Sequence, residues 1–357
     1  MRSRTLFILI TLISFLFSTQ TPAIADNPPR RILSGWLPDY SLSRNLPTVE
    51  GNLDLIRDIS PFWYGLTGAT TIKDKYAIGR YTTPVEQVIA RLKANGLLLL
   101  PTITDDNPKL VLANLLANPN SRTSIVQTIK NLVLKYNYDG IDLDFETFYT
   151  KDGRSSWPAL KPNWIAFIKE LSTALHDQGK LLSVTTPPDF APETKRAGNS
   201  VYSWAEIGPL IDRLRIMAYD FSTTSPGPIG PLPWSEDAVK YAVTQMPASK
   251  VYLGIPGYGR DWITKVEGVC PNAFATSVIV GAKAAVVMRE ALTLASANNA
   301  TPTYNTTHAE STFTYKKTYV DPTNSASFCT ASRTVWYPDE RSYTARTNLV
   351  GKYRLGG

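Results

Sequence analysis

The densest run of chemistry-bearing residues is Tyr138-Asp139-Gly140-Ile141-Asp142-Leu143-Asp144-Phe145-Glu146. Carboxylates recur at every second position from 142 to 146, with apolar side chains between them. In a β-strand alternate residues share a face, so Asp142, Asp144 and Glu146 are expected on one side. Ile141, Leu143 and Phe145 then point the other way, towards covering helices. Three carboxyls in a row repel one another and disfavour ionisation. Inside a fold each must be hydrogen-bonded or protonated to be tolerated. The arrangement therefore predicts a Glu146 that keeps its proton near neutral pH, as a general acid must. A solvated acidic strand edge is the alternative for folding alone, and oxygen ligands for Mg²⁺ or Ca²⁺ are another use of the same trio.

A strand bearing such a cluster needs a rigid frame. Strand-like runs occur at 31–37, 59–66, 97–104, 138–146, 181–186, 213–221 and 250–258, with helical patterns between them. The clearest helix begins at Thr83-Pro84, has Glu86 in its first turn, shows one apolar face through Val85, Val88, Ile89 and Leu92, and stops at Gly96. These signals predict a capping box made by Thr83. Further faces run through Ile125, Ile129, Leu132, Val133 and Tyr136, through Trp164, Phe167, Ile168, Leu171 and Leu175, and from Ala238 to Met246. Helices inserted between successive strands require a parallel sheet with crossovers. Seven such units predict an α/β fold of the (β/α)₈ TIM-barrel kind. No glycine-rich dinucleotide fingerprint follows the first strand, which argues against an open doubly wound sheet.

Residues 263–334 break this rhythm and read as a small α+β insertion after strand 7, forming one wall of a groove. Cys270 and Cys329, the two cysteines of the chain, both lie there. In an exported protein such a pair reads as a disulfide closing a large loop, with two unrelated thiols as the other reading. The two histidines, His176 and His308, are far apart in the chain, which argues against a histidine-based zinc site. At the N-terminus Arg2 and Arg4 precede an apolar run from Leu6 to Phe17, and Ala23-Ile24-Ala25 offers a small-x-small cleavage site. Residues 1–25 thus read as a signal peptide, with 26–357 as the mature domain, secreted or extracytoplasmic. No later stretch has the continuous apolar length of a membrane span. The net charge is +7, or +5 without Arg2 and Arg4, and it is interspersed. That pattern suits solubility, with attraction to an anionic cell wall as the other reading, and no motif points to nucleic acid.

The motifs taken together resemble glycoside hydrolase family 18, the chitinase-like family. Asp139, Asp142, Asp144 and Glu146 match its Asp-x-x-Asp-x-Asp-x-Glu. Met217-Ala218-Tyr219-Asp220 on the sixth strand and the Gly254–Arg260 run on the seventh match two further family motifs. Pro61-Phe62-Trp63-Tyr64 and Trp336–Ser342 look most like the bacterial cell-wall and spore-cortex N-acetylglucosaminidase branch. The resemblance implies hydrolysis of β-1,4 bonds at N-acetylglucosamine in chitin-type or peptidoglycan polysaccharide, by a monomer needing neither cofactor nor metal. It implies a retaining mechanism assisted by the substrate's own acetamido group. Glu146 would be the acid, Asp144 would orient the acetamido group, and Asp142 would share a proton with Asp144. Tyr219 would bond the acetamido carbonyl, and Asp220 would touch the sugar. Asp139 would support the strand turn and Gly140 allow close packing, while Met217 reads as substrate-binding or as barrel core. Tyr258, Arg260 and Trp262 read as lining the groove or as packing the insertion against the barrel, with Trp36, Tyr40, Trp63 and Trp234 as further groove candidates. In the family an eighth-strand tryptophan floors the site. Gly356-Gly357 match the start of that strand, which reads here as truncated. The alternative function is a catalytically inactive chitinase-like lectin that binds glycans.

Overall fold

The structure is a computed structural model that describes residues 32–79 and 81–357. The leader assigned to 1–25 lies outside the described residues. The barrel is built from parallel strands in chain order: β1 (Leu33–Pro38), β2 (Ile56–Phe62), β3 (Tyr64–Thr67), β4 (Thr71–Asp74), β5 (Leu98–Leu99), β6 (Thr102–Asp105), β7 (Gly140–Asp144), β8 (Leu181–Thr186), β9 (Arg213–Ile216) and β10 (Val251–Leu253). β2 and β3 together form the second barrel strand, broken at Trp63, and β5 and β6 form the third. β1 pairs with β2 and β2 with β5, while β3, β6, β7, β8, β9 and β10 follow as parallel neighbours. β4 is the exception, turning back antiparallel on β3.

Leu355–Gly357 enter at the place of an eighth strand. Gly356 N–H donates to the Val251 carbonyl at 2.9 Å and Leu253 N–H to the Gly357 carbonyl at 3.1 Å; on the other side Ile32 N–H donates to the Gly356 carbonyl at 3.1 Å. These bonds link β10 to the residue ahead of β1 and cover part of two sheet edges.

Helices pack outside the strands as the periodicity predicts. Pro119–Lys135 and Trp157–His176 bury the faces read from the sequence. Ile141, Leu143 and Phe145 are buried towards them, and the Phe145 ring lies 6.1 Å from Phe167 and 6.4 Å from Trp164. The Val85–Ala94 helix buries Val85, Val88, Ile89 and Leu92, and Gly96 follows it at φ +75°. The capping box expected at Thr83 does not form. Pro84 takes the N-cap position and has no side-chain acceptor, and the Thr83 carbonyl receives Tyr76 Oη at 2.6 Å instead. A capping box does head the Glu340–Lys352 helix, where Ser342 N–H reaches Asp339 Oδ1 at 3.0 Å and Ser342 Oγ accepts from Asp339 N–H at 2.9 Å.

After β10 the chain builds a second sheet, antiparallel, from β11 (Tyr258–Gly268), β12 (Lys283–Val287), β13 (Thr303–Asn305), β14 (Glu310–Val320) and β15 (Phe328–Tyr337), in the order β12-β11-β15-β14-β13. It runs beyond 263–334 at both ends, because β11 begins within the seventh-strand motif itself. The helix Met288–Ala297 covers one face, where Ala291, Ala295, Phe313, Val335 and Tyr337 are buried together. On a second small core Cys270 and Cys329 form a disulfide.

Candidate active site

Inside the barrel the alternate residues of the strands are polar. Near the lower end Asp58, Ser60, Thr102, Asp142, Ser183, Arg213 and Arg215 are all buried. Arg213 Nη1 donates to Asp58 Oδ2 at 2.8 Å, and Arg215 lies 3.6 Å from Asp58 and 3.4 Å from Asp142. Asp142 accepts Thr102 Oγ1 at 2.9 Å, Ser183 Oγ at 2.6 Å and Thr185 Oγ1 at 3.0 Å. Both of its oxygens are thereby engaged, and none of these bonds is to Asp144. No hydrogen bond joins Asp142 to Asp144 here: hydroxyls from β6 and β8 and the Arg215 guanidinium surround the Asp142 carboxyl.

One pleat higher the surroundings change. Asp144 is 5% exposed, and its Oδ1 is buried without a hydrogen-bond partner among the described residues. Burial, then the charges of Glu146 and Asp142, hold its carboxyl well above the usual carboxylate range, and Lys75 opposes them weakly. Glu146 is raised too, first by burial and then by the charge of Asp220, against a hydrogen bond from Tyr149 that lowers it. Tyr149 Oη donates to Glu146 Oε2 at 2.7 Å.

Asp144, Glu146, Tyr219, Asp220, Met217 and Tyr258 all line one groove of about 780 Å³ at the C-terminal mouth of the barrel. Such a position is where barrel folds carry their chemistry. Burial pushes the Tyr219 hydroxyl well above its ordinary range, so it is a proton donor at neutral pH. Gly254 makes room for this ring, since a Cβ there would lie 3.1 Å from Tyr219 Cε1 and 2.6 Å from the Ile216 carbonyl. Asp220 sits in the left-handed region at φ +62°. Arg260 Nη2 grips its Oδ1 at 2.6 Å, and Tyr258 Oη donates to the same oxygen.

The remaining expectations divide. Trp36, Tyr40 and Trp234 line the groove, with Phe62 and Phe190. Trp63 does not: it is fully buried, its ring 4.9 Å from Tyr76. Trp262 does not either. It is 1% exposed within the insertion sheet, with Lys283 Nζ 4.8 Å over its ring, because by that point β11 has left the barrel mouth and is covered by β12. Arg260 is absent from the lining and acts through Asp220. Asp139 lies in the bend just ahead of β7 and ties it to its neighbours: its Oδ2 accepts Leu99 N–H at 2.8 Å and its Oδ1 lies 3.4 Å from Lys93. Gly140 permits the close approach of β8, as a Cβ would lie 2.2 Å from the Leu181 carbonyl. Among the described residues no three of His, Cys, Asp and Glu are arranged to hold a metal ion. Tyr149, Phe190 and Asn199 are groove residues that the sequence reading did not find.

A family model described as "Glycosyl hydrolases family 18" matches residues 64–357, most of the chain. The chain belongs to glycosyl hydrolase family 18. Among characterised and named relatives, the putative sporulation-specific glycosylase YdhD of Bacillus subtilis (strain 168) is 25% identical over 247 residues, 69% of this chain and 51% of that protein. The chain thus spans about half the length of this relative. The cortical fragment-lytic enzyme of Bacillus anthracis is 24% identical over 329 residues, covering 89% of this chain and 69% of that enzyme. Among solved structures, the C-terminal domain of a putative chitinase from Desulfitobacterium hafniense DCB-2 superposes with a TM-score of 0.74 at 25% identity, covering 92% of each chain. The family-18 fold is thus common to this chain and to proteins named for chitin and for spore cortex.

Proposed function

We propose that this family-18 protein hydrolyses β-1,4 bonds at N-acetylglucosamine in chitin-type or peptidoglycan glycans by a retaining, substrate-assisted reaction. The observation that carries the reading is Asp144, a buried carboxyl whose Oδ1 has no hydrogen-bond partner among the described residues, lining the same groove as the acid Glu146 and the hydroxyl-bearing Tyr219. A carboxyl held neutral by its surroundings can orient an acetamido group by hydrogen bonding. In the first step the acetamido oxygen attacks the anomeric carbon, the glycosidic C–O bond breaks, and the leaving oxygen takes the Glu146 proton. Asp144 accepts the acetamido N–H on its unprotonated oxygen, the Glu146 carboxylate left by the proton transfer balances the oxazolinium ion, and Tyr219 donates to the acetamido oxygen. Water then attacks the same carbon as the ring C–O bond of the oxazolinium breaks, and gives its proton to Glu146, which restores the acid; the two displacements retain the anomeric configuration. Asp220, fixed by Arg260 and Tyr258, meets the sugar hydroxyls. Trp36, Trp234 and Phe190 offer faces for sugar rings.

The disulfide, together with the leader read from the sequence of residues 1–25, supports action outside the cytoplasm. No described helix is long and apolar enough to cross a membrane. Relatives named for cortical fragments and for chitin support testing both peptidoglycan and chitin oligomers.

The test is product release from N-acetylglucosamine oligomers and from purified peptidoglycan, followed by mass spectrometry, for the wild type and Glu146→Gln. The expected loss is about 10²–10⁴-fold in kcat with the fold intact. An equal rate in both proteins contradicts the assignment of Glu146. Binding of oligomers with no release by the wild type selects the lectin reading.

A further inference from the structure

Tyr149 belongs to no motif, yet its hydroxyl donates directly to the carboxyl of the acid. It sits on a single tight turn, Phe148–Asp152, directly after the catalytic strand. That turn is anchored at several points. Tyr149 N–H and Thr150 N–H both donate to the Glu146 carbonyl, at 3.2 and 3.0 Å, and Thr150 Oγ1 donates to it at 2.8 Å. Phe148 is fully buried, its ring 5.4 Å from Trp164 and 5.9 Å from Tyr202, and Trp157 Nε1 holds its carbonyl at 2.9 Å. The Tyr149 ring therefore stands at a fixed place in the groove wall, 37% exposed, with its hydroxyl on Glu146 Oε2. Among the described residues no hydrogen bond reaches Glu146 Oε1, which leaves that oxygen for the proton.

We infer that Tyr149 is a positioning residue for the general acid, fixing Glu146 through Oε2 so that Oε1 presents the proton to the leaving oxygen. This rests on the glycosidase reading above. It also gives Glu146 two opposed influences. The Tyr149 hydroxyl stabilises the carboxylate, whereas the Asp220 charge across the groove destabilises it. The other groups facing Glu146 are Asp144 on its own strand, Tyr219 beyond β9, Tyr258 at the head of β11 and Tyr202 beneath the turn. Lys75 stands behind Asp144, and Arg260 holds Asp220.

Tyr149→Phe keeps the ring and removes only the donor. A hydroxyl donated to a carboxylate lowers its pKa, so its loss moves the Glu146 titration upward, by about one pH unit or less. The Glu146 carboxyl is followed by ¹³C NMR in both proteins, assigned with Glu146→Gln, and kcat and KM are measured on an N-acetylglucosamine oligomer against pH. The basic limb of the rate profile should move upward with the carboxyl. Below that limb kcat should fall about 3–30-fold with KM within twofold, the signature of a misplaced acid. A Glu146 midpoint that does not move overturns the inference, whatever the rate does, and so does a kcat within twofold of wild type at every pH. The NMR titration needs no substrate. A wild type inactive on all N-acetylglucosamine glycans therefore defeats the functional reading while the Tyr149–Glu146 pairing is still decided.

Discussion

Asp142 and Asp144 are the same residue type on the same face of one strand, two residues apart, and their surroundings are opposite. The lower one meets three hydroxyls and a guanidinium; the upper one has an oxygen with no partner at all. The same contrast holds for the whole barrel interior. Its lower half matches Asp58 and Asp142 with Arg213 and Arg215, and its mouth gathers Asp144, Glu146 and Asp220, of which Asp220 is the one bound by Arg260. The difference teaches how one strand serves two ends. Paired charges below fix the barrel geometry, and burial among like charges above raises the carboxyls of Asp144 and Glu146.

The comparison breaks most visibly at Arg215. Arg215→Met leaves Asp142 and Asp58 buried without that cation, and unfolding in urea should show a loss of about 3–5 kcal/mol. A loss under 1 kcal/mol would mean that the hydroxyls alone satisfy the lower half. Asp144→Asn should act in the opposite direction, stabilising the protein by roughly 1–3 kcal/mol at pH 7 while abolishing most activity. The sign follows from linkage. The folded-state pKa of Asp144 is raised above the unfolded value, so its contribution to stability is fully present below the unfolded pKa and is lost as pH rises through the folded pKa. Thermal unfolding of the two proteins between pH 4 and 8 should therefore diverge as pH rises, and parallel curves would remove the distinction between the two aspartates.

The smallest effect is expected at Asp220, which is half exposed and screened by solvent. Its charge raises Glu146, so Asp220→Asn should move the basic limb of kcat/KM downward by less than about one pH unit, opposite to Tyr149→Phe. Shifts in the same direction for both variants would undo the opposed influences.

Much of this was legible in the chain. The seven strand positions were readable because buried parallel strands appear as short apolar runs, and the carboxylate phase followed from the period of two. The motifs placed Tyr219 and Asp220 at the end of the sixth strand. What stayed hidden depends on contacts between distant segments. Arg215 meets Asp142 only because the barrel closes, and nothing local to either residue announces the pair. Trp262 shares a strand phase with Tyr258 and Arg260, but the groove ends before it does. Thr83 has a capping-box spacing, yet Pro84 occupies the cap. Tyr149 left a faint signal: a hydroxyl-bearing ring three residues after Glu146 faces back to it if the chain turns helically there, as it does.

The central claim is that Asp144 is the aspartate of the acidic strand that holds its proton. Its direct test is ¹³C titration of the aspartate carboxyls, with Asp144→Asn and Asp142→Asn for assignment. The account predicts that Asp144 titrates well above the ordinary value of about 4, and that its midpoint falls when Glu146 is replaced by Gln. An Asp144 that titrates at or below that value, unmoved by the loss of Glu146, would contradict it.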